Sequence, residues 1–139
     1  MEAMFKKDDT IKFIIPGKPE YIKVVRMSLA ALASGAGFDV EAAEDIKLAV
    51  EEACKAITCH GFKAWTNKYE VECRIEDDRM TIYLTDIGDG RDIEKQYRPC
   101  EKCPQDGDMA LILIKTLMDS VEIATREGNK KSIVMVKNK

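Results

Sequence analysis

The stretch Asp39–Phe62, DVEAAEDIKLAVEEACKAITCHGF, decides how the rest of the chain is read. Its apolar residues recur at helical spacing, so it reads as one long helix. Asp39 suits its start, where a carboxylate can accept an orphan backbone N–H of the first turn. Glu41 and Glu44 follow at the positive end of the helix dipole. At 3.6 residues per turn, Ala42, Ile46, Ala49, Val50, Ala53 and Ile57 form one apolar stripe. Asp45, Glu52, Ala56 and Cys59 run along one flank of that stripe, and Lys47, Glu51 and Thr58 along the other. A carboxylate at the edge of a buried stripe can line a cleft, which makes Glu52 the candidate functional residue, with Glu51 read as a solvated neighbour.

Outward from this helix, the chain alternates between short strands and helices. Residues 1–9 are polar and read as an unstructured start. Ile11, Phe13 and Ile15 alternate, which predicts a strand over Thr10–Ile15. Pro16, Gly17 and Pro19 break it, and Pro19 fits the first turn of a helix reaching about Ala33. The stripe expected for that helix is Tyr21, Val24, Val25, Ser28, Leu32 and Ala36, with Lys23, Arg26 and Ala30 pointing away. Gly35 and Gly37 end it. Further on, Tyr69–Glu76 and Met80–Leu84 alternate on either side of Asp77-Asp78, which predicts a hairpin. From residue 87 to residue 107 no core pattern survives, and a loop this long reads as a functional lid. Met109–Met118 reads as a buried helix capped by Asp108, followed by strands over Val121–Arg126 and Ser132–Val136. The expected fold is an α/β two-layer sandwich in a single domain spanning residues 1–139. It has a mixed, mostly antiparallel sheet with three helices on one face.

Composition narrows the function. The chain has 139 residues, a formal net charge of -3, 45% hydrophobic and 34% charged residues, which is the balance of a soluble globular domain. A slightly acidic chain is a poor match for nucleic acid or an anionic membrane surface. No apolar run is long enough to cross a bilayer. Five cysteines without a secretory leader favour reduced thiols in a cytoplasmic protein.

Three segments together resemble the anti-sigma-factor serine kinase family: PGKPEYIKVVRMSLA, EDIKLAVEEAC, and TLMDSVEI after the third helix. That bacterial family is part of the GHKL superfamily, which unites gyrase, histidine kinases, MutL-type repair proteins and the heat-shock chaperone ATPase. The similarity runs from about Pro16 to Val136. It implies a histidine-kinase-like ATPase fold and a Glu on the long helix that polarises the attacking hydroxyl. Four residues later the family carries an Asn that holds the magnesium bridging the ATP phosphates. Residues four apart share a helix face, so the spacing suits one site. Glu52 stands at the Glu position, whereas the Asn position is Ala56, and a methyl group cannot ligate a metal.

The family's Asp-x-Gly-x-Gly box is present as Asp86, Gly88 and Gly90. The resemblance implies that Asp86 accepts the adenine amino group and that Gly88 lets the backbone approach the base. The same residues after a strand also make an ordinary turn. The glycine-rich phosphate cradle at the third helix is reduced to Gly107, followed by Asp108. Asp108 would set like charge beside phosphate, at about 1 kcal/mol in water and several times more in a shielded cleft. The implied cofactor is therefore ATP or ADP, held weakly, with magnesium short of its ligand.

The remaining features carry simpler readings. His60 suits a helix C-terminus. Cys100-Glu101-Lys102-Cys103 is a lone CxxC, and zinc needs four ligands, so two loop thiols are the first reading and a redox or metal role the second. Arg26 and Lys23 form a basic face on the first helix, which the resemblance turns into a partner surface. The implied partners are a sigma factor, an antagonist of the STAS type, and a second copy in a homodimer. Two functions follow: an anti-sigma factor that sequesters its partner, or an active serine/threonine protein kinase that phosphorylates the antagonist.

Overall fold

The computed structural model describes residues 8–58, 68–88, 109–126 and 130–139. Expectations placed on Cys59, His60, Gly90, Cys100, Cys103, Gly107 and Asp108 lie outside the described residues. The described elements are strand β1 (Asp9–Pro16), a 3-10 turn at Pro19–Tyr21, helices α1 (Ile22–Gly35) and α2 (Val40–Thr58), and the strand pair β2 (Lys68–Ile75) and β3 (Arg79–Asp86). Helix α3 (Met109–Leu117) and strands β4 (Ser120–Arg126) and β5 (Lys130–Asn138) complete them. Strand β1 begins at Asp9, opposite Ile75, so Asp9 belongs to the sheet and not to an unstructured start.

The five strands form one sheet in the order β1-β2-β3-β5-β4. Every pairing among them is antiparallel. Strand β3 pairs with β5, so the chain passes through α3 and β4 before the last strand fills the gap. Register puts like with like: Val71 faces Leu84, Cys73 faces Ile82, Ile82 faces Met135 and Leu84 faces Ile133. These side chains are buried beneath the helices. The alternate positions form the outer face, where Glu72 lies 2.6 Å from Arg74 and 3.9 Å from Lys12. The Arg74 guanidinium stacks over Tyr83 at 4.8 Å on the same face.

Helix α2 is the middle of the helical layer and packs on α1, α3, β3 and β5. Its cap is as the sequence suggests, with the Ala42 N–H donating to Asp39 Oδ1 over 2.8 Å. Ile46, Ala49, Val50, Ala53 and Ile57 are fully buried, joined by Cys54, and Ala42 is partly buried. Each large aliphatic side chain of this stripe contributes about 1.5–3 kcal/mol by leaving water.

The stripe of α1 differs from the expectation. Val25, Leu29 and Ala33 are the buried line, while Tyr21, Val24 and Met27 are exposed. Apolar residues occur on two overlapping arcs of this helix, and periodicity alone does not say which arc meets α2. The helix ends as expected: Gly37 has φ 96°, and Phe38 N–H returns to the Ala33 carbonyl over 3.1 Å. A positive φ there is the conformation glycine adopts without a Cβ penalty.

Candidate nucleotide and partner site

Two turns of α2 separate Asp45 from Glu52, so both project from one flank of the helix. Lys137, on β5, marks where that flank lies. Its Nζ is 3.2 Å from Asp45 Oδ2 and donates to the Leu117 carbonyl over 2.6 Å. The C-terminal end of α3 is thereby tied beside Asp45, and the flank carrying Asp45, Glu52 and Ala56 is the side of α2 toward α3. The last carbonyls of a helix lack intrahelical donors, so an ammonium there satisfies one of them and suits the dipole.

Glu52 is half-buried, and its Oε2 lies 3.5 Å from Lys55 Nζ. The same ammonium lies 3.3 Å from Glu51 Oε2. Ala56, one turn beyond Glu52, is only 6% exposed. The position where the resemblance implies a metal-ligating amide is thus a methyl group pressed into the edge of the core.

Glu51 is not a solvated bystander. Its Oε1 accepts from Arg26 Nη1 across the α1–α2 seam at 2.5 Å. The Arg26 guanidinium beside it, with help from Lys55, holds the Glu51 carboxyl below its usual range against the opposing effect of burial. Glu51 and then Glu52 push the Lys55 ammonium above its usual range. Arg26 is therefore half-buried in the seam and not on an outer basic face, because a carboxylate from α2 draws it inward. Its Nε is buried without a hydrogen-bond partner among the described residues. Lys23 is exposed, as expected.

Asp86 ends β3 directly opposite Tyr69, the second residue of β2. Facing residues on paired strands project from the same side, so Asp86 points to the helical face, where Tyr69 and Leu84 are buried. Asp86 Oδ1 accepts from the Gly88 N–H over 2.9 Å, which closes a tight turn with Gly88 buried. The Asp86–Gly88 pair is brought together, and Gly90 and Gly107 fall outside the described residues. Next to this corner, Tyr69 meets Cys54 of α2. Burial pushes the Cys54 thiol up to about 12 and the Tyr69 phenol far above its ordinary range. Among the described residues the Tyr69 hydroxyl has no hydrogen-bond partner of ordinary geometry.

With this arrangement in place, comparison with known proteins decides the family. Residues 15–137 match the histidine kinase-like ATPase domain. The chain belongs to that family. It is 36% identical to a serine-protein kinase RsbW of Bacillus licheniformis over 135 residues, covering 90% of this chain and 84% of the relative. It is 38% identical to a serine-protein kinase RsbW of Listeria innocua over 138 residues, covering 93% and 87%. Among solved structures, the RsbU and RsbW domains of Rv1364c from Mycobacterium tuberculosis superpose with a TM-score of 0.65 at 14% identity. That match covers 93% of this chain and 32% of the longer one, and establishes the fold.

Glu52 lies half-buried on the flank of α2 toward α3, and Asp86 and Gly88 share the turn that ends β3. The Arg26–Glu51–Lys55–Glu52 line of alternating charges was not found from sequence. The Glu51/Lys55 spacing of four residues was a visible signal for half of it. The Arg26 contact spans 25 residues and had none.

Proposed function

We propose that this chain is an anti-sigma regulatory factor, binding a sigma subunit of RNA polymerase and released by a STAS-type antagonist. The observation that carries this reading is Ala56, buried at the edge of α2 where the resemblance implies a metal-ligating amide. A phosphoryl-transfer site without its metal-ligating amide loses catalytic power, whereas a protein-binding surface on the same scaffold does not need it. ATP or ADP is then a weak ligand, with Asp86 toward the base, Gly88, Gly90 and Gly107 at the backbone approaches, and Glu52 beside the phosphate end.

Apolar surface supports the partner and dimer readings. Ile14 on edge strand β1 is 66% exposed, and Val24 and Met27 on α1 are 52% and 54% exposed. Lys23, next to Val24 on α1, is exposed, and Arg26 is turned into the α1–α2 seam. Among the described residues no helix is long and apolar enough to cross a membrane, and the proposed location is the cytoplasm.

A second reading, an active serine/threonine protein kinase, is favoured by Glu52 and Asp86 and by the likeness to serine-protein kinases of Bacillus licheniformis and Listeria innocua. One experiment separates the two. The purified chain is mixed with each sigma subunit of its own genome, and separately with STAS-domain proteins and labelled ATP. Sigma capture without phosphate transfer is expected. Transfer to a serine at rates of a working kinase would replace the first reading with the second.

A further inference from the structure

We propose that Arg26, Glu51, Lys55 and Glu52 form a charge relay that runs from the α1–α2 seam to the opposite flank of α2. In it one ammonium is shared between two carboxylates. Drawing Arg26 out of the seam commits Lys55 to Glu51 and takes it away from Glu52. The relay is built from contacts within the chain, and what it conveys, the arrival of a partner on α1, rests on the anti-sigma reading above.

Glu51 and Glu52 are neighbours in sequence and so point about 100° apart around the helix. Glu51 faces α1, where its Oε1 accepts from Arg26 Nη1 at 2.5 Å. Glu52 lies on the flank toward α3. Lys55 follows one by four residues and the other by three, so its stem stands between them on the outward side of α2. Its Nζ is 3.3 Å from Glu51 Oε2 and 3.5 Å from Glu52 Oε2. Glu51 is thus divided, one oxygen to Arg26 and the other to Lys55. The ammonium has no charge to spare, since Glu51 and then Glu52 hold it above its usual range. A single charge that serves two acids couples them, because what one gains the other gives up.

The moving end is Arg26. Its side chain is 31% exposed, so the guanidinium is open to solvent along the seam. Its Nε is buried without a hydrogen-bond partner among the described residues, so the seam leaves one donor unmet. Lys23, Val24 and Met27 are exposed on the same helix. A partner carboxylate arriving there competes with Glu51 for the planar fork of the guanidinium. Lys55 then answers Glu51 alone, which limits the cost of release. Coupling is reciprocal, so neutralising Glu52 strengthens the hold of Lys55 on Glu51 and eases Arg26 out of the seam. The Lys55 side chain is 55% exposed, and solvent keeps the effect modest.

The test is acetylation of the folded chain by acetic anhydride at mildly alkaline pH, with the rate at Lys55 read by peptide mass spectrometry. Only the neutral amine reacts, so a lysine held in its charged form reacts slowly. Glu52→Gln should speed Lys55 about two- to threefold in the parent chain, the size of one exposed ion pair. The same substitution should have almost no effect in an Arg26→Met chain, where Lys55 belongs to Glu51. In a Glu51→Gln chain, where Lys55 belongs to Glu52, its effect should exceed that in the parent. An equal factor in all three backgrounds is what independent charges give, and it overturns the inference. So does a Lys55 rate that Glu52→Gln leaves unchanged in the parent. Circular dichroism checks the fold of each variant, and the Glu51→Gln arm alone decides the matter if Arg26→Met does not fold. Sigma capture by the parent chain reports separately whether the anti-sigma reading stands.

Discussion

Arg26→Met tests whether the seam between α1 and α2 is held by charge. The substitution keeps an unbranched apolar stem in the seam and removes the guanidinium that meets Glu51 at 2.5 Å. The two side chains are 31% and 22% exposed, so solvent screens the pair only in part. A hydrogen bond to a charged group is worth about 1.5–3 kcal/mol, and an unpartnered buried donor costs about 1 kcal/mol or more. The Arg26 Nε is such a donor, and its penalty disappears with the guanidinium. Lys55 stays 3.3 Å from Glu51 and compensates part of the freed charge. The net loss near neutral pH is therefore about 1 kcal/mol, or about 3 °C in Tm for a domain of this size.

The pH dependence fixes the cause. Glu51 titrates below its ordinary value of 4.5 in the folded protein, chiefly because of Arg26. Between the folded and unfolded values the unfolded chain binds more protons, so stability rises with pH through that window. The contribution is complete above the ordinary carboxylate value and fades as pH falls through the lower, folded one. Urea unfolding of parent, Arg26→Met, Glu51→Gln and the double variant, followed by circular dichroism from neutral pH downward, closes a double-mutant cycle. A coupling of about 1 kcal/mol that vanishes in acid is the expected result. A coupling of zero, or one that does not change with pH, refutes the reasoning.

Three further outcomes follow from other contacts. Cys54 and Cys73 are buried, with thiols pushed up to about 12, so iodoacetamide at mildly alkaline pH should leave both unlabelled in the native chain and label both in urea. Lys137→Met removes the contacts to Asp45 and to the Leu117 carbonyl and should destabilise by about 1–2 kcal/mol, read as a shift in urea midpoint without a change in slope. Ala56→Asn combined with Asp108→Gly should strengthen ATP binding and make it magnesium-dependent; calorimetry in magnesium and in EDTA shows whether the gain requires the ion.

The fold was legible wherever one face of an element is apolar and the other is not. The α2 stripe, the alternation in β2 and β3 and the Gly37 stop each had a local pattern that the structure repeats. On α1 local pattern failed, because Val24 and Met27 are as apolar as Leu29 and only contact with α2 distinguishes them. The turn at Asp86 and Gly88 was legible because it is local. The site was not legible at Arg26, where the basic spacing suggested an outward face and a carboxylate on another helix turns the side chain inward. Long-range ion pairs leave no periodic trace in a sequence.

The wheel of α2 also separates the residues that hold the layers together from Glu52 and Ala56. Ile46, Ala49, Val50, Ala53 and Ile57 hold the layers together, and truncating any large member would cost about 2–4 kcal/mol. Glu52 is half-buried on the flank of that stripe, and Ala56 is a small side chain at its edge, 6% exposed. Alanine is the better helix former than asparagine by roughly half a kcal/mol, so an Ala at position 56 is neutral or slightly stabilising for the helix. Stability therefore does not oppose an Ala at position 56. Restoring Asn at that position carries the opposite sign. Ala56→Asn alone should lower stability by roughly 0.5–1 kcal/mol, because a polar amide enters a site only 6% exposed. A single-site variant that gained stability in urea unfolding would mean that Ala56 borders open solvent and not the core, and the argument from packing would fall with it.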